Sequence, residues 1–357
     1  MSTGAWSRPV FNLNAAAWGG IRARNREPID RGLALRFYLA GGALSALGIL
    51  QRRLYGSVVD QTALKPPIFL VGHWRSGTTL LHELLALDGK FAAPSTYECF
   101  NPHHFLFAPY RPPDEKLVLR PTGDMTVSPA SPQEEEFALL CMGAISPYEA
   151  FLFPRALERF EALCDPDLFD GAQQLRWNDA MTWILKATAY VRGADKPLLL
   201  KSPANSFRIR RLGALFPGAA FIRTVREPCA VFASTLRLWQ SMWQRYALTA
   251  PLAQEALIER ILETRRALEQ KLRSAAAFLP AGRYVTVRYE DLVSDPCATI
   301  ELLYDRMALG DPSALLPKVR AYLAERPRPP AQSADQWRPL VQARWPEMFD
   351  EFSYPRR

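Results

Sequence analysis

One stretch constrains this chain more than any other: Pro67-Ile68-Phe69-Leu70-Val71-Gly72-His73-Trp74-Arg75-Ser76-Gly77-Thr78-Thr79-Leu80-Leu81. Ile68 to Val71 is a short apolar run behind a proline pair, as expected of a strand buried on both faces. Gly72 and Gly77 bracket a loop whose backbone needs positive φ and close approach to a ligand. An amphipathic helix is expected from Thr78, carrying Leu80, Leu81, Leu84, Leu85 and Leu87. A helix that starts out of a glycine loop aims unpaired N–H groups and the positive end of its dipole into that loop, which favours a phosphate. The spacing Gly72 to Gly77 matches the first part of G-x-x-x-x-G-K-[ST]. Thr78 stands where that motif has lysine, and the positive charge sits earlier, at Arg75. The loop is expected to hold phosphate without being built for a γ-phosphate with Mg²⁺. The competing reading is a glycine turn with no ligand.

Further strands are expected at Lys196–Pro203, Ala219–Arg226 and Tyr284–Tyr289, each followed by a helical pattern. Short apolar strands alternating with helices give an α/β fold, a parallel sheet flanked by helices. Ligands of such sheets bind beyond the carboxyl ends of the strands. Three of these ends carry cations: the Arg75 loop, Lys201 and Arg226. Residues 1–64 read as a helical N-terminal appendage, with a helix over Leu33–Leu54 broken at Gly41-Gly42, and 65–357 as the α/β domain. Phe91–Pro113, dense in proline and aromatics, reads as a loop over a binding site. Ser131 to Glu136 reads as a solvated helix start with acids matching the dipole, and Phe151–Leu163 as a helix. The arginines of Phe207–Phe216 are expected on a solvated face. Arg326 to Pro330 is expected to be extended.

Composition removes several classes. The net charge of +8 favours anionic ligands or surfaces, but no Lys/Arg block points to nucleic acid. Five scattered cysteines without a C-x-x-C argue for a reducing compartment, against a disulfide framework and against zinc. The adjacent His103 and His104 do not form an i, i+4 ligand pair, so no metal is expected. No apolar leader core stands between Met1 and Asn12, and the expected location is cytoplasmic. The uncharged Ala/Gly-rich run inside Leu33–Leu50 is shorter than the ~20 residues of a spanning helix, so peripheral membrane contact through 33–50 is the alternative to a packed helix.

The joint pattern carries a family resemblance. Arg75-Ser76-Gly77-Thr78-Thr79 resembles the 5′-phosphosulfate loop of sulfotransferases that use 3′-phosphoadenylyl sulfate. Arg226, followed eight residues later by Ser234, resembles their 3′-phosphate site. Arg288-Tyr289-Glu290-Asp291-Leu292 resembles a segment whose tyrosine lies near the nucleotide. The branch with arginine in the loop, that of tyrosylprotein sulfotransferases and many bacterial enzymes, fits best. The resemblance implies a P-loop-like sulfotransferase fold and metal-independent sulfuryl transfer to a hydroxyl. It implies 3′-phosphoadenylyl sulfate as co-substrate, held by Arg75, Ser76, Gly77, Thr78, Thr79, Leu80, Arg226, Ser234 and Tyr289. Arg75 and Lys201 are the expected stabilisers of developing charge, and Glu98 is the implied base, with His103 or His104 as runner-up. The C-terminal 3′-phosphate segment of the cytosolic branch is missing; Arg338 or Arg344 could substitute for it, and neither is assigned to it.

Each assignment has a structural alternative: Glu98 as a loop carboxylate paired with arginine, Lys201 as a lysine reaching water, Arg226 as an ion-pair partner; His82 reads as a packed histidine rather than a catalyst. The aromatic segments Tyr97–Tyr110 and Phe137–Phe153 favour a small-molecule or lipid-like acceptor, although a core would show the same pattern. Two other functions compete, a P-loop kinase with a degenerate loop and a non-catalytic nucleotide-binding protein.

Overall fold

The computed structural model describes residues 11–110, 118–119, 126–325 and 333–356. The expectation for Arg326–Pro330 and the end of the Phe91–Pro113 segment lie outside the described residues. The chain forms two compact units, Met1–Lys65 with Ala92–Leu198 and Leu238–Ala253, and Pro66–Phe91 with Leu199–Arg237 and Gln254–Arg357.

The second unit holds the sheet. Its strands are β1 Ile68–Gly72, β2 Leu199–Lys201, β3 Ala220–Val225 and β4 Tyr284–Arg288. They lie in the order β2-β1-β3-β4, and every pairing is parallel. All residues of β1, β2 and β3 are buried, which is why β1 reads as a continuous apolar run. On one face Ile68, Leu70, Leu199 and Ile222 pack with Leu81, Leu84 and Leu85. Phe69 faces the other way and stacks on Phe221 at 5.5 Å. Each such buried side chain contributes about 1.5–3 kcal/mol. β4 alternates half-buried and buried residues, as an edge strand does.

This order has a consequence for ligands. The chain leaves β1 toward β2 and leaves β3 toward β4, so the connections diverge between β1 and β3. A crevice forms at such a switch point, at the carboxyl ends of those two strands. The loops there are 73–77 and 226–227.

The first unit is helical, built on Ala15–Arg24, Arg31–Gln61, Glu135–Met142 and Gly171–Arg192. The first 64 residues share this unit with 92–198 and 238–253. The helix Arg31–Gln61 starts at an Asp30 cap that accepts from the Leu33 N–H at 2.8 Å. It runs unbroken through Gly41-Gly42, against expectation. Gly41 is there for contact: a Cβ on it would lie 3.1–3.3 Å from the Asn14–Ala15 backbone. Trp18 stacks on Phe37 at 4.2 Å in the same helix pair.

Three further expectations are corrected. Glu135 and Glu136 are fully buried, not a solvated helix start, and Glu134 accepts the Tyr148 hydroxyl. Phe151–Leu163 is not one helix: Pro154 separates Glu149–Leu152 from a 3₁₀ turn Pro154–Arg159 and the helix Phe160–Cys164. Arg208 is buried rather than on a solvated face, at the N-terminal cap of Ile209–Leu215. Within Phe91–Pro113, Thr96–Phe100 is a short helix closed by a Ser95–Glu98 capping box.

The two glycines separate packing from propensity. Gly41→Val should lower stability by about 1–3 kcal/mol through overpacking. Gly42→Ala, with open space around it, should raise it by roughly 0.5–1 kcal/mol. Denaturant unfolding of both variants checks this, and equal effects would contradict the assigned role of Gly41.

Candidate active site

The loop after β1 is tied down by residues far away in sequence. The Gly72 N–H donates to Ser206 Oγ at 2.8 Å. Ser76 Oγ donates to the His73 carbonyl at 2.7 Å and lies 2.7 Å from Thr224 Oγ1. His73 Nδ1 is 2.7 Å from the Trp74 carbonyl, so that nitrogen carries the proton. Burial, then the charge of Arg265, push His73 down to about 3, offset in part by the Trp74 bond. Arg75 sits at φ +70, a left-handed conformation that a non-glycine residue keeps only where its surroundings enforce it.

Gly77 caps the helix Thr78–Ala86 at φ +100, and no side chain accepts from the helix start. The Leu81 N–H bonds back to the Gly77 carbonyl at 3.2 Å. The N–H groups of Thr78, Thr79 and Leu80 precede it, and a helix cannot satisfy its own first donors. They are the donors at which the sequence places a phosphate as an expectation.

The cationic residues converge on this loop. Arg75 Nε donates to Ser234 Oγ at 2.8 Å, and Arg226 Nη1 donates to the Arg75 carbonyl at 3.2 Å. The Arg226 guanidinium lies 4.3 Å from the Tyr289 ring centre, a cation–π contact. Tyr289 packs on Gly77 so closely that a Cβ there would lie 2.4 Å from its Cδ2. Arg75, Gly77, Arg226, Ser234 and Tyr289 thus form one cluster. Within it Ser234 accepts from Arg75, and Arg226 meets the loop carbonyl.

Lys201 ends β2, opposite Leu70 in register, and is 1% exposed, so the alternative of a lysine reaching water fails. The next residue, Ser202, has a buried hydroxyl without a protein partner. An orphaned hydroxyl beside a buried lysine at the carboxyl edge of the sheet suits a polar ligand. His82 is a packed histidine, with Nε2 3.2 Å from the Leu199 carbonyl. Arg344 is held by Glu259. Arg338 lies 3.5 Å from Glu227. Ser206, Thr224 and Thr235, which reaches the Trp74 carbonyl at 3.4 Å, were not legible as loop supports.

Glu98 belongs to the first unit and is buried. Its Oε1 accepts from Arg192 Nε at 2.9 Å and pairs with Nη2 at 2.7 Å. Its Oε2 accepts the Ser95 N–H at 2.9 Å. The arginine pairing weighed as its alternative is therefore present. A carboxylate oxygen has two lone-pair sites, so Oε2 retains one acceptor position beyond the Ser95 bond. His103 Nε2 lies 3.1 and 3.2 Å from the carbonyls of Asn12 and Cys141, which commits that nitrogen as a donor. Burial lowers His103 to about 4 and also lowers His104. Among the described residues no cluster of three or more His, Cys, Asp or Glu could hold a metal ion.

A profile described as sulfotransferase family matches residues 66–312. The chain is 34% identical over 365 residues to omega-hydroxy-beta-dihydromenaquinone-9 sulfotransferase Stf3 of Mycobacterium bovis, covering 98% of this chain and 92% of that protein. The Mycobacterium tuberculosis protein of that name matches to the same extent. Among solved structures, sulfotransferase STF9 from Mycobacterium avium aligns with a TM-score of 0.68 at 18% identity, over 96% of this chain and 97% of that one. Sulfotransferase STF1 from Mycobacterium tuberculosis aligns with a TM-score of 0.65 at 19% identity, over 92% and 90%.

Two of the buried histidines, His73 and His103, set a pH dependence. The unfolded chain takes up their protons near the ordinary 6.5, while the folded chain resists to about 3 for His73 and about 4 for His103. Stability is therefore full above about pH 7 and falls as pH drops from 6.5 toward 4, by about 1.4 kcal/mol per pH unit for each histidine. His103→Gln keeps a donor for the two carbonyls and should flatten this slope in denaturant titrations across pH. An unchanged slope would contradict the assignment.

Proposed function

The chain belongs to the sulfotransferase family, and from that premise we propose that it uses 3′-phosphoadenylyl sulfate as donor and a lipid-like hydroxyl as acceptor. It is an enzyme that transfers a sulfuryl group to a hydroxyl. The single observation that carries the donor assignment is the cluster of Arg75, Ser234, Arg226 and Tyr289 around the uncapped helix start at Gly77. It offers fixed cations and backbone donors where a nucleotide with a phosphosulfate and a second phosphate would place its charges. The donor, when bound, supplies the sulfuryl group and departs as 3′,5′-ADP.

In this reading the N–H groups of Gly77, Thr78, Thr79 and Leu80, with Arg75, hold the 5′-phosphosulfate. Ser76 shapes the loop through Thr224 and His73. Arg226 and Ser234 hold the 3′-phosphate, the serine hydroxyl donating while it accepts from Arg75. Tyr289 supports the nucleotide through Arg226. Lys201 and Arg75 stabilise the charge that grows on the bridging oxygen as the acceptor attacks sulfur in line. Glu98 takes the acceptor proton at Oε2. A kinase reading is disfavoured because β2 and β3 lead into Lys201 and Arg226, where Mg²⁺ chemistry needs an aspartate.

For the acceptor, the mycobacterial relative is named for a hydroxylated menaquinone. In the first unit, rings flank the Glu98 helix: Phe100 lies 4.7 Å from Phe137 and 6.1 Å from Phe11. Phe100 and Phe137 are only half-buried, so they offer apolar surface two residues from Glu98. Phe151 and Trp239 behind them are core, as the aromatic pattern alone also allowed. The five free cysteines fit a reducing, cytoplasmic setting.

Two substitutions divide binding from chemistry. Arg226→Ala should weaken 3′,5′-ADP binding by about 2 kcal/mol through loss of a charge-assisted contact. Glu98→Gln keeps the shape of the capping box and should leave that binding nearly intact while reducing transfer by ~10²-fold or more. Calorimetry and single-turnover transfer check both. Full transfer activity in Glu98→Gln would leave Glu98 only its structural pairing with Arg192.

A further inference from the structure

The helix Arg31–Gln61 has two unlike faces. Leu33, Phe37, Gly41, Gln51 and Val59 are buried inside the first unit, where Gln51 bonds the Pro102 carbonyl at 2.8 Å and the Leu106 N–H at 3.0 Å. The opposite face is uncovered. Leu35, Tyr38, Leu39, Ile49, Leu50 and Leu54 are between 45% and 65% exposed. Gly42, Ala43 and Ala46 between them are exposed as well. These positions recur at helical spacing and form one stripe. Single exposed leucines are ordinary on a protein surface, but a continuous stripe of large ones is not.

The charges on this helix say what covers the stripe. Arg31 and Arg53 are exposed at its two ends on the same face, about 33 Å apart along the axis at ~1.5 Å per residue. No acidic residue stands between Asp30 and Asp60. Arg52 lies off the stripe, paired with Asp179 at 3.0 Å and stacked 4.3 Å from the Trp183 ring. By length and composition the helix is able to cross a membrane, but crossing would strip its inward face from the unit it packs in. We propose that the helix lies in the plane of an anionic phospholipid surface. The leucine stripe enters the headgroup–acyl boundary, and Arg31 and Arg53 reach lipid phosphates at its ends. A second copy of the chain fits less well. Laid antiparallel and centred on the stripe Leu35–Leu54, it would set Arg31 against Val58 and Arg53 against Arg36, with no carboxylate on the stripe to meet them. The inference does not rest on the catalytic assignment, although an enzyme seated this way meets a lipid-like acceptor where that acceptor dissolves.

Vesicle co-sedimentation of the full chain tests this, with vesicles of equal parts phosphatidylcholine and phosphatidylglycerol against phosphatidylcholine alone. Binding to the mixed vesicles is expected, weakened by salt and lost in the double variant Leu39→Glu, Leu50→Glu. The double variant Arg31→Gln, Arg53→Gln should bind the anionic vesicles roughly tenfold or more weakly while keeping the weak affinity for neutral ones. Circular dichroism verifies folding, and if the glutamate pair fails to fold, the arginine pair decides. The proposal is overturned by absence of binding to anionic vesicles, by binding that neither pair weakens, or by a sedimentation-equilibrium dimer that the glutamate pair dissociates.

Discussion

The site depends on the contact between Gly77 and Tyr289. The helix Thr78–Ala86 can open directly onto a ligand only because Gly77 adopts φ +100, and Tyr289 occupies the space a Cβ would fill. Tyr289 then serves as the platform for Arg226, and Arg226 holds the carbonyl of Arg75. Arg75 in turn reaches Ser234. A chain of four contacts thus links the ends of β1, β3 and β4, and each contact presupposes the one before. Any side chain at position 77 would displace the ring, the guanidinium above it and the loop conformation together.

The parallel sheet makes this economical. Three strands deliver their carboxyl ends to one edge, and the order β2-β1-β3-β4 opens the crevice between the two strands whose loops carry Arg75 and Arg226. Burying the sheet on both faces removes water from behind the loop. In the proposed reading, backbone donors and fixed cations there would act on a ligand in a medium of low dielectric, where they are stronger than in solution. The cost appears in His73, which must stay neutral beside Arg265.

Much of this was legible in the chain because it is local. A strand, a glycine loop and a helix start are adjacent in sequence, and the cations sit at strand ends that an apolar run announces. Arg226 and Ser234 were legible as neighbours on one helix start, but the link between them through Arg75 was not. Ser206 and Thr224, which brace the loop from 134 and 148 residues away, carry no local pattern at all. The same limit applies to packing. Gly41-Gly42 looks like a helix break to propensity, yet Gly41 answers to the Asn14–Ala15 backbone. Glu135 and Glu136 look like solvated dipole partners and are fully buried. Glu98 combines both cases: its capping box with Ser95 is a local signature, whereas Arg192 arrives from 94 residues away.

In the proposed reading the cationic cluster at the sheet edge is built for a nucleotide with two separated phosphate groups and no metal. The most direct measurement is calorimetric titration of the purified chain with 3′,5′-ADP in the presence of a chelator, beside ATP with Mg²⁺. The account predicts tight metal-free binding of 3′,5′-ADP and much weaker binding of ATP. Preference for ATP with Mg²⁺, or no binding of 3′,5′-ADP, would contradict it.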